Sequence, residues 1–222
     1  MVRNPERRAA LVDAAVDVLA AEGARGLTFR AVDAAAGVPT GTSSNYFASR
    51  DDLLRHIDTW LHQRLAPDPA VVGSLLARPR DRNLVAAFMH DLMRRVQADR
   101  TGFLALMEMR LEATRRPELS ASLRKSLRGD LDFGIAFNAE SGLPGGPEEI
   151  TLLYLGMLGL ILDHLTMPGM LDGAIPGVHV PDGVVERLVA RLIPEEATRV
   201  APEDATRVAP EGAEGMGAES EG

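Results

Sequence analysis

Apolar residues recur three and four positions apart over most of the chain, and strictly alternating runs are few. That spacing predicts about nine helices and no sheet. The first is expected over 5–22: Asn4 is a good cap, Pro5 suits the first helical position, and Ala9, Val12, Ala15, Val16 and Leu19 form one stripe before Gly23. Thr28 caps a short second helix, 29–36, which Gly37 ends. A third short helix is expected over 40–47. Ser49-x-x-Asp52, a capping box with Asp in place of Glu, opens a fourth that carries Leu53, Leu54, Ile57, Trp60 and Leu61 towards Pro67. Five more follow at 81–99, 101–115, 117–141, 148–166 and 183–192. They are separated by breaks such as "GLPGGP" (142–147) and the Gly/Pro-rich stretch 167–183. The pattern thus describes an all-α protein: three short helices, a long connector at 49–66, and a larger bundle.

Composition narrows the chemistry more than the fold. The chain has 222 residues, 45% of them hydrophobic, which suffices for one or two domains with a core. It has no cysteine, so disulfides, a thiol nucleophile and cysteine-based zinc sites are excluded. The start, "MVRNPERR", lacks the apolar stretch of a signal peptide, so a cytoplasmic location is expected. The run 150–162 reads as a buried core segment too short to cross a bilayer, and no membrane association is expected. Net charge is −8, but residues 194–222 alone contribute −6 from eight acids and two arginines. That tail repeats "PEEATRVA" as "PEDATRVA" and "PEGAEGMG", and is expected to be a disordered acidic segment. Residues 1–65 balance at zero, which leaves room for a DNA-binding face if the arginines cluster.

The stretch "GVPTGTSSNYF" (37–47) carries the functional question. A phosphate-binding loop needs a lysine before its final Ser or Thr, and a nucleophile elbow needs Gly-x-Ser-x-Gly between strand and helix; neither is present. Two short helices joined by a Gly-containing turn, the second one polar, do match a helix-turn-helix. In that reading Phe29, Val32 and Ala36 face inward and Val38 plugs the small core. Gly37 closes the first helix, and Asn45 with the threonines and serines meets base edges.

At this point "LTFRAVDAAAGVPTGTSSNYFASRDDLL" (27–54) resembles the DNA-binding motif of the tetracycline-repressor (TetR) family of bacterial transcription regulators. Gly23, Thr28, Ala34, Gly37, Val38, Gly41, Tyr46, Phe47 and Leu53 fall where the family's pattern has them, over about 7–55. The resemblance implies a helix-turn-helix domain at 1–48 and an effector-binding and dimerisation bundle at 49–193, with no cofactor and no enzymatic activity. It places DNA contacts on Thr28, Thr40, Gly41, Thr42, Ser44, Asn45 and Tyr46, with Arg50 pairing with a phosphate where the family usually has lysine. It implies a palindromic double-stranded operator, bound by a dimer acting most simply as a repressor, and a small-molecule effector that releases it. Members commonly have Leu-Tyr where this chain has Ser43-Ser44. That removes an aromatic contact at 44 and weakens apolar packing at 43, so operator preference is expected to diverge there. Arg3, Arg7 and Arg8 could form a basic arm on DNA or simply a solvated helix end.

The second half carries no such motif. Met89, Met93, Met107, Met109, Phe88 and Phe103 read either as ordinary core or as an adaptable apolar pocket. With the resemblance in view, the candidate ligand set is Phe88, His90, Met93, Met107, Glu108, Arg110 and Tyr154. The histidines are scattered without metal-ligand spacing, so no metal is expected. Segment 148–166, apolar on nearly all sides and carrying Gly156-x-x-Gly159, resembles with 183–192 the two helices that build the family's dimer bundle, which implies a homodimer interface there; the alternative is that both pack inside one subunit. A helical protein-binding adaptor, using 167–183 and the acidic tail, is the competing reading.

Overall fold

The computed structural model describes residues 4–195. The acidic repeat beyond Glu195, and Arg3 of the basic start, lie outside the described residues. Within them the chain forms ten helices and no strand. They are α1 (Pro5–Gly26), α2 (Phe29–Ala35), α3 (Thr42–Tyr46), α4 (Arg50–Arg64), α5 (Pro69–Leu76), α6 (Arg82–Ala98), α7 (Arg100–Ala113), α8 (Pro117–Glu140), α9 (Pro147–Thr166) and α10 (Asp182–Leu192). The all-α class stands, with one helix more than the periodicity predicts. The addition, α5, reads "PAVVGSLL", where two valines and a glycine weaken helix propensity. It forms because Asp68 accepts a hydrogen bond from the Ala70 amide (2.8 Å) and because it packs on α6.

Local signals hold at the other termini. Asn4 accepts from the Glu6 amide at 2.9 Å, and Thr28 Oγ1 from Ala31 at 3.1 Å. Ser49 Oγ accepts from Asp52, and the Asp52 carboxylate reaches back to the amide of Ala48, one residue before the expected partner. That amide, helped by His56 and Arg55 and opposed by burial, is the main reason the Asp52 carboxyl sits below the usual carboxylate range. Gly23 leaves the helical conformation (φ 68°) as expected of a terminator, but the chain resumes one further turn to Gly26. No side chain fits easily there: a Cβ would stand 3.2 Å from the Glu108 carboxylate.

Two apolar cores hold the helices together. The first gathers Leu11, Val16 and Leu19 of α1, Val32, Phe47, and Leu53, Leu54 and Ile57 of α4. It also includes Ala105 and Met109 of α7 and Leu119 and Leu123 of α8. The N-terminal head, α1 to α3, therefore shares its core with the start of the bundle. The second core joins α6, α7, α9 and α10 through Leu84, Met93, Phe103, Met157, Leu160 and Val189. Asn138 ties off the "GLPGGP" break by donating to the carbonyls of Leu143, Pro144 and Gly145.

Helix α9 departs from the sequence expectation. It is twenty residues long and contains an 18-residue window of mean hydropathy 1.3, enough by length and composition alone to cross a membrane. Nor is it a fully buried core segment. Leu153, Met157, Leu160, Ile161 and Leu165 face the second core, while Leu152, Leu155 and Leu162 stand 44%, 55% and 47% exposed on the other side. The uninterrupted apolar run 150–162 is only the middle of the helix expected over 148–166, which starts one residue earlier, at Pro147.

Candidate DNA-binding helix and ligand groove

Helix α3 has five residues, all poor helix formers. What fixes it is a buried carboxylate one helix earlier. Asp33 of α2 is 1% exposed and accepts from the Gly41 amide (2.7 Å), the Ser43 amide (2.7 Å) and the Ser43 hydroxyl (2.5 Å). It acts as an N-cap supplied from outside the helix, satisfying amides that a helix start otherwise leaves free. Gly41, at φ 93°, takes the left-handed conformation that turns the chain into α3.

This revises the role of Ser43. Its side chain is wholly buried, so its hydroxyl replaces apolar packing with a specific hydrogen bond rather than merely weakening it. Asp33 itself went unnoticed in the sequence. An acid two positions from an Ala-rich turn has no local signal, and only the fold shows that its partners lie eight and ten residues on.

The expected DNA contacts present one face. Thr40, Gly41, Ser44 and Asn45 are exposed, and Thr42 and Tyr46 half-buried. Their polar groups are turned onto their own backbone: Thr42 to Pro39 O (2.5 Å), Ser44 to Gly41 O (2.8 Å) and Asn45 Nδ2 to Gly41 O (3.1 Å). Thr28 is exposed at the start of α2. Arg50 is placed differently. Its guanidinium donates to the carbonyl of Ala24 and lies 3.6 Å from the buried carboxylate of Glu112 on α7. Arg7 is exposed and Arg8 half-buried at the start of α1.

A seam of polar contacts joins this head to the bundle. Arg116, where the chain enters α8, bridges Glu112 (2.6 Å) and Asp51 at the start of α4 (2.7 Å). Further along, Asp58 of α4 accepts from Ser126 (3.0 Å), and His62 meets Asp130 at 3.1 Å. Burial, the largest influence on Asp130, raises its carboxyl above the usual range. At the far end of α4, Arg64 grips Asp99 through two nitrogens (2.5 and 2.7 Å) and Asp13 through a third (2.5 Å). The Arg64 bonds hold Asp99 below the ordinary carboxylate range. Trp60 donates to the same Asp13 at 3.3 Å.

The seven candidate ligand residues do not converge on one place. Arg110 and Tyr154 line a groove of about 350 Å³ between α7, α8 and α9, with Leu123, Leu127 and Arg124. His90 lines a separate groove of about 420 Å³ between α5, α6 and α10, where Glu186 holds its Nε2 at 2.7 Å. Phe88 packs edge-on against Phe137, Met93 is buried in the second core, Met107 is half-buried on α7, and Glu108 stands beside Gly23. Among the described residues no three acid or histidine side chains are grouped to hold a metal ion.

Gly156 and Gly159 also part company. A Cβ at Gly156 would meet Leu188 of α10 at 3.1 Å within the same subunit, whereas Gly159 opens onto the exposed face beside Leu155 and Leu162. Helix α10 turns Val185 and Val189 into its own subunit.

Comparison with known proteins fits this layout. The pattern described as "Bacterial regulatory proteins, tetR family" matches residues 11–57, and that of "Tetracyclin repressor-like, C-terminal domain" matches 80–195. The HTH-type transcriptional regulator BetI of Rhizobium meliloti (strain 1021) is 30% identical over 68% of this chain and 78% of its own. The multidrug binding protein EbrR, complexed with imidazole, superposes with a TM-score of 0.62 at 28% identity, covering 88% of this chain and 94% of that one. A TetR-family member from Streptomyces coelicolor A3 gives 0.61 at 27%, over 86% and 99%. With a buried-carboxylate-capped recognition helix at one end, a helical bundle at the other and both halves matched, the chain belongs to the TetR family of bacterial transcriptional regulators.

Proposed function

We propose that this regulator is a cytoplasmic repressor that binds a palindromic operator as a homodimer and leaves it when a small molecule enters the groove between α7, α8 and α9. The observation that carries the DNA part is the exposed row Thr40, Gly41, Ser44 and Asn45 on a helix rigidly docked by Asp33. Ser44 and Asn45 exchange their backbone partners for base edges on entering the major groove, and Asn45 suits adenine. Thr28, Thr42 and Tyr46 reach phosphates. Arg50 does so only by leaving Glu112, which makes it a group whose partner differs between the free and the DNA-bound protein.

Dimerisation uses the exposed Leu152, Leu155 and Leu162 face of α9, with Gly159 allowing close approach. It places two α3 helices about 34 Å apart on successive major grooves. Effector release follows from the position of α8. One of its sides carries Ser126 and Asp130 against the connecting helix α4; another carries Leu123 and Leu127 into the groove. A ligand that favours one setting of α8 biases the setting of α4, and the release it causes is limited by its differential affinity for the two. EbrR, crystallised with imidazole and with several dyes, supports a ligand-receiving bundle in this chain.

Selection of bound fragments from random DNA by the purified full chain tests the reading. Enrichment of a palindrome with half-site centres about 10 base pairs apart is expected, with affinity falling steeply as salt rises. Absence of any enriched palindrome overturns it.

A further inference from the structure

We infer that the groove between α7, α8 and α9 selects an organic anion, a carboxylate on an apolar body, over cationic ligands. The inference rests on the groove being the effector site proposed above, and adds the chemistry of what it takes. Its floor is apolar: Leu123 is 3% exposed, and Leu127 and Leu131 are half-buried beside it. Its rim is cationic. Arg110 projects from α7, and Arg124 and Arg128 from successive turns of α8; Tyr154 is the contribution of α9. No carboxylate lines the groove.

Arg128 already has a counterion, Asp132, at 2.8 and 3.0 Å. Arg110 and Arg124 make no ion pair or side-chain hydrogen bond among the described residues, although elsewhere in the bundle arginines find acids readily, as Arg94, Arg95 and Arg116 do. In a chain of net charge −8, two guanidiniums without acids over an apolar floor form a positive spot on a negative molecule. A carboxylate answers such a spot with charge-assisted, bidentate hydrogen bonds, while an ammonium or a cationic dye meets like charge there. The volume, about 350 Å³, admits a ligand of one to a few fused rings or a medium-length acyl chain. The floor also explains why occupancy would be felt at a distance, since Leu123 belongs to the same apolar core as the DNA-binding head.

The test uses the full chain and two fluorescent probes with one aromatic body, 1-pyrenebutyrate and 1-pyrenemethylammonium. The anion is expected to bind at least tenfold more tightly. The double variant Arg110→Ala/Arg124→Ala should abolish that preference while leaving the melting temperature unchanged. Arg78→Ala, in the other groove, should leave the preference intact. Equal or tighter binding of the cation, no binding of either probe, or a preference that survives the double variant overturns the inference. So does a severalfold rise in anion affinity on deleting 196–222, which would make the chain's own acidic segment the occupant. Operator binding is measured on the same protein without probe. A protein that binds its operator but shows no anion preference loses this inference alone. One that prefers the anion but binds no operator loses the repressor reading alone.

Discussion

Helices α3 and α9 meet opposite difficulties. Helix α3 is five residues of Thr, Ser, Asn and Tyr, with too few backbone hydrogen bonds to nucleate alone. Helix α9 is twenty mostly apolar residues, and forming it is no problem; covering it is. The first is completed from within the subunit by one carboxylate, Asp33. The second is left with a row of exposed leucines that nothing among the described residues covers. The contrast shows where each part's specificity lies. A surface that must enter a DNA groove stays small and polar, so its order is imposed by a neighbour. The α9 surface, proposed to meet a second copy, stays apolar and is left open by the described residues.

The largest effect is expected from breaking the α9 side. Leu155→Glu places a charge at the centre of the proposed dimer face without touching the second core. Light scattering should show a monomer, and operator affinity should fall at least a hundredfold. A variant that remains dimeric would mean that the exposed leucines are not the interface. Next comes the α3 side. Asp33→Ala leaves the buried Ser43 hydroxyl and amide, and the part-buried Gly41 amide, without their acceptor, at roughly 1–3 kcal/mol for each buried group left unsatisfied. Stability should fall by about 2–6 kcal/mol in urea, and operator binding by more than the stability loss explains. Adding Ser43→Leu to Asp33→Ala, with the residue the family commonly has at 43, should recover stability. If it recovers operator preference as well, Asp33 is only a structural group.

A smaller effect is expected from Asn45→Ala, which touches neither Asp33 nor the core. It should cost about 1–3 kcal/mol of discrimination at one base position, read by competition between matched and mismatched operators, with no change in melting temperature. Smallest is the response to acid. Asp52 and Asp99 sit below the ordinary carboxylate range in the folded chain, so they stabilise it while ionised. That contribution is complete above their unfolded value of about 4 and is lost as pH falls through the lower folded values. Trp60, sharing Asp13 with Arg64, lies close enough to report the loosening of Arg64 from Asp99 as a fluorescence change below about pH 4.

The helices that are long and amphipathic were legible because burial leaves a 3.6-residue imprint. Leu53, Leu54, Ile57 and Leu61 face inward as their spacing says. The caps at Asn4, Thr28 and Ser49 were legible because their hydrogen bonds are local. Helix α5 was not: its residues disfavour a helix, and its packing on α6 outweighs them. The candidate ligand residues were drawn from two successive helices plus Tyr154, and the fold disperses them. Arg110 and Tyr154 reach one groove, His90 another, and Met93 a core, because residues three and four apart on one helix share a face only until neighbouring helices decide what each face meets.

By itself, then, the sequence determined the all-α class, the helix-turn-helix and the polar character of its second helix, all set by spacing, caps and turns within a few residues. The tertiary structure alone decided that Asp33 holds α3 and that Ser43 is an inward-facing partner rather than a gap. It also brought Arg50 to Glu112 and left the leucines of α9 uncovered by the described residues. Each of these depends on which groups from distant parts of the chain exclude water together, and no local pattern encodes that.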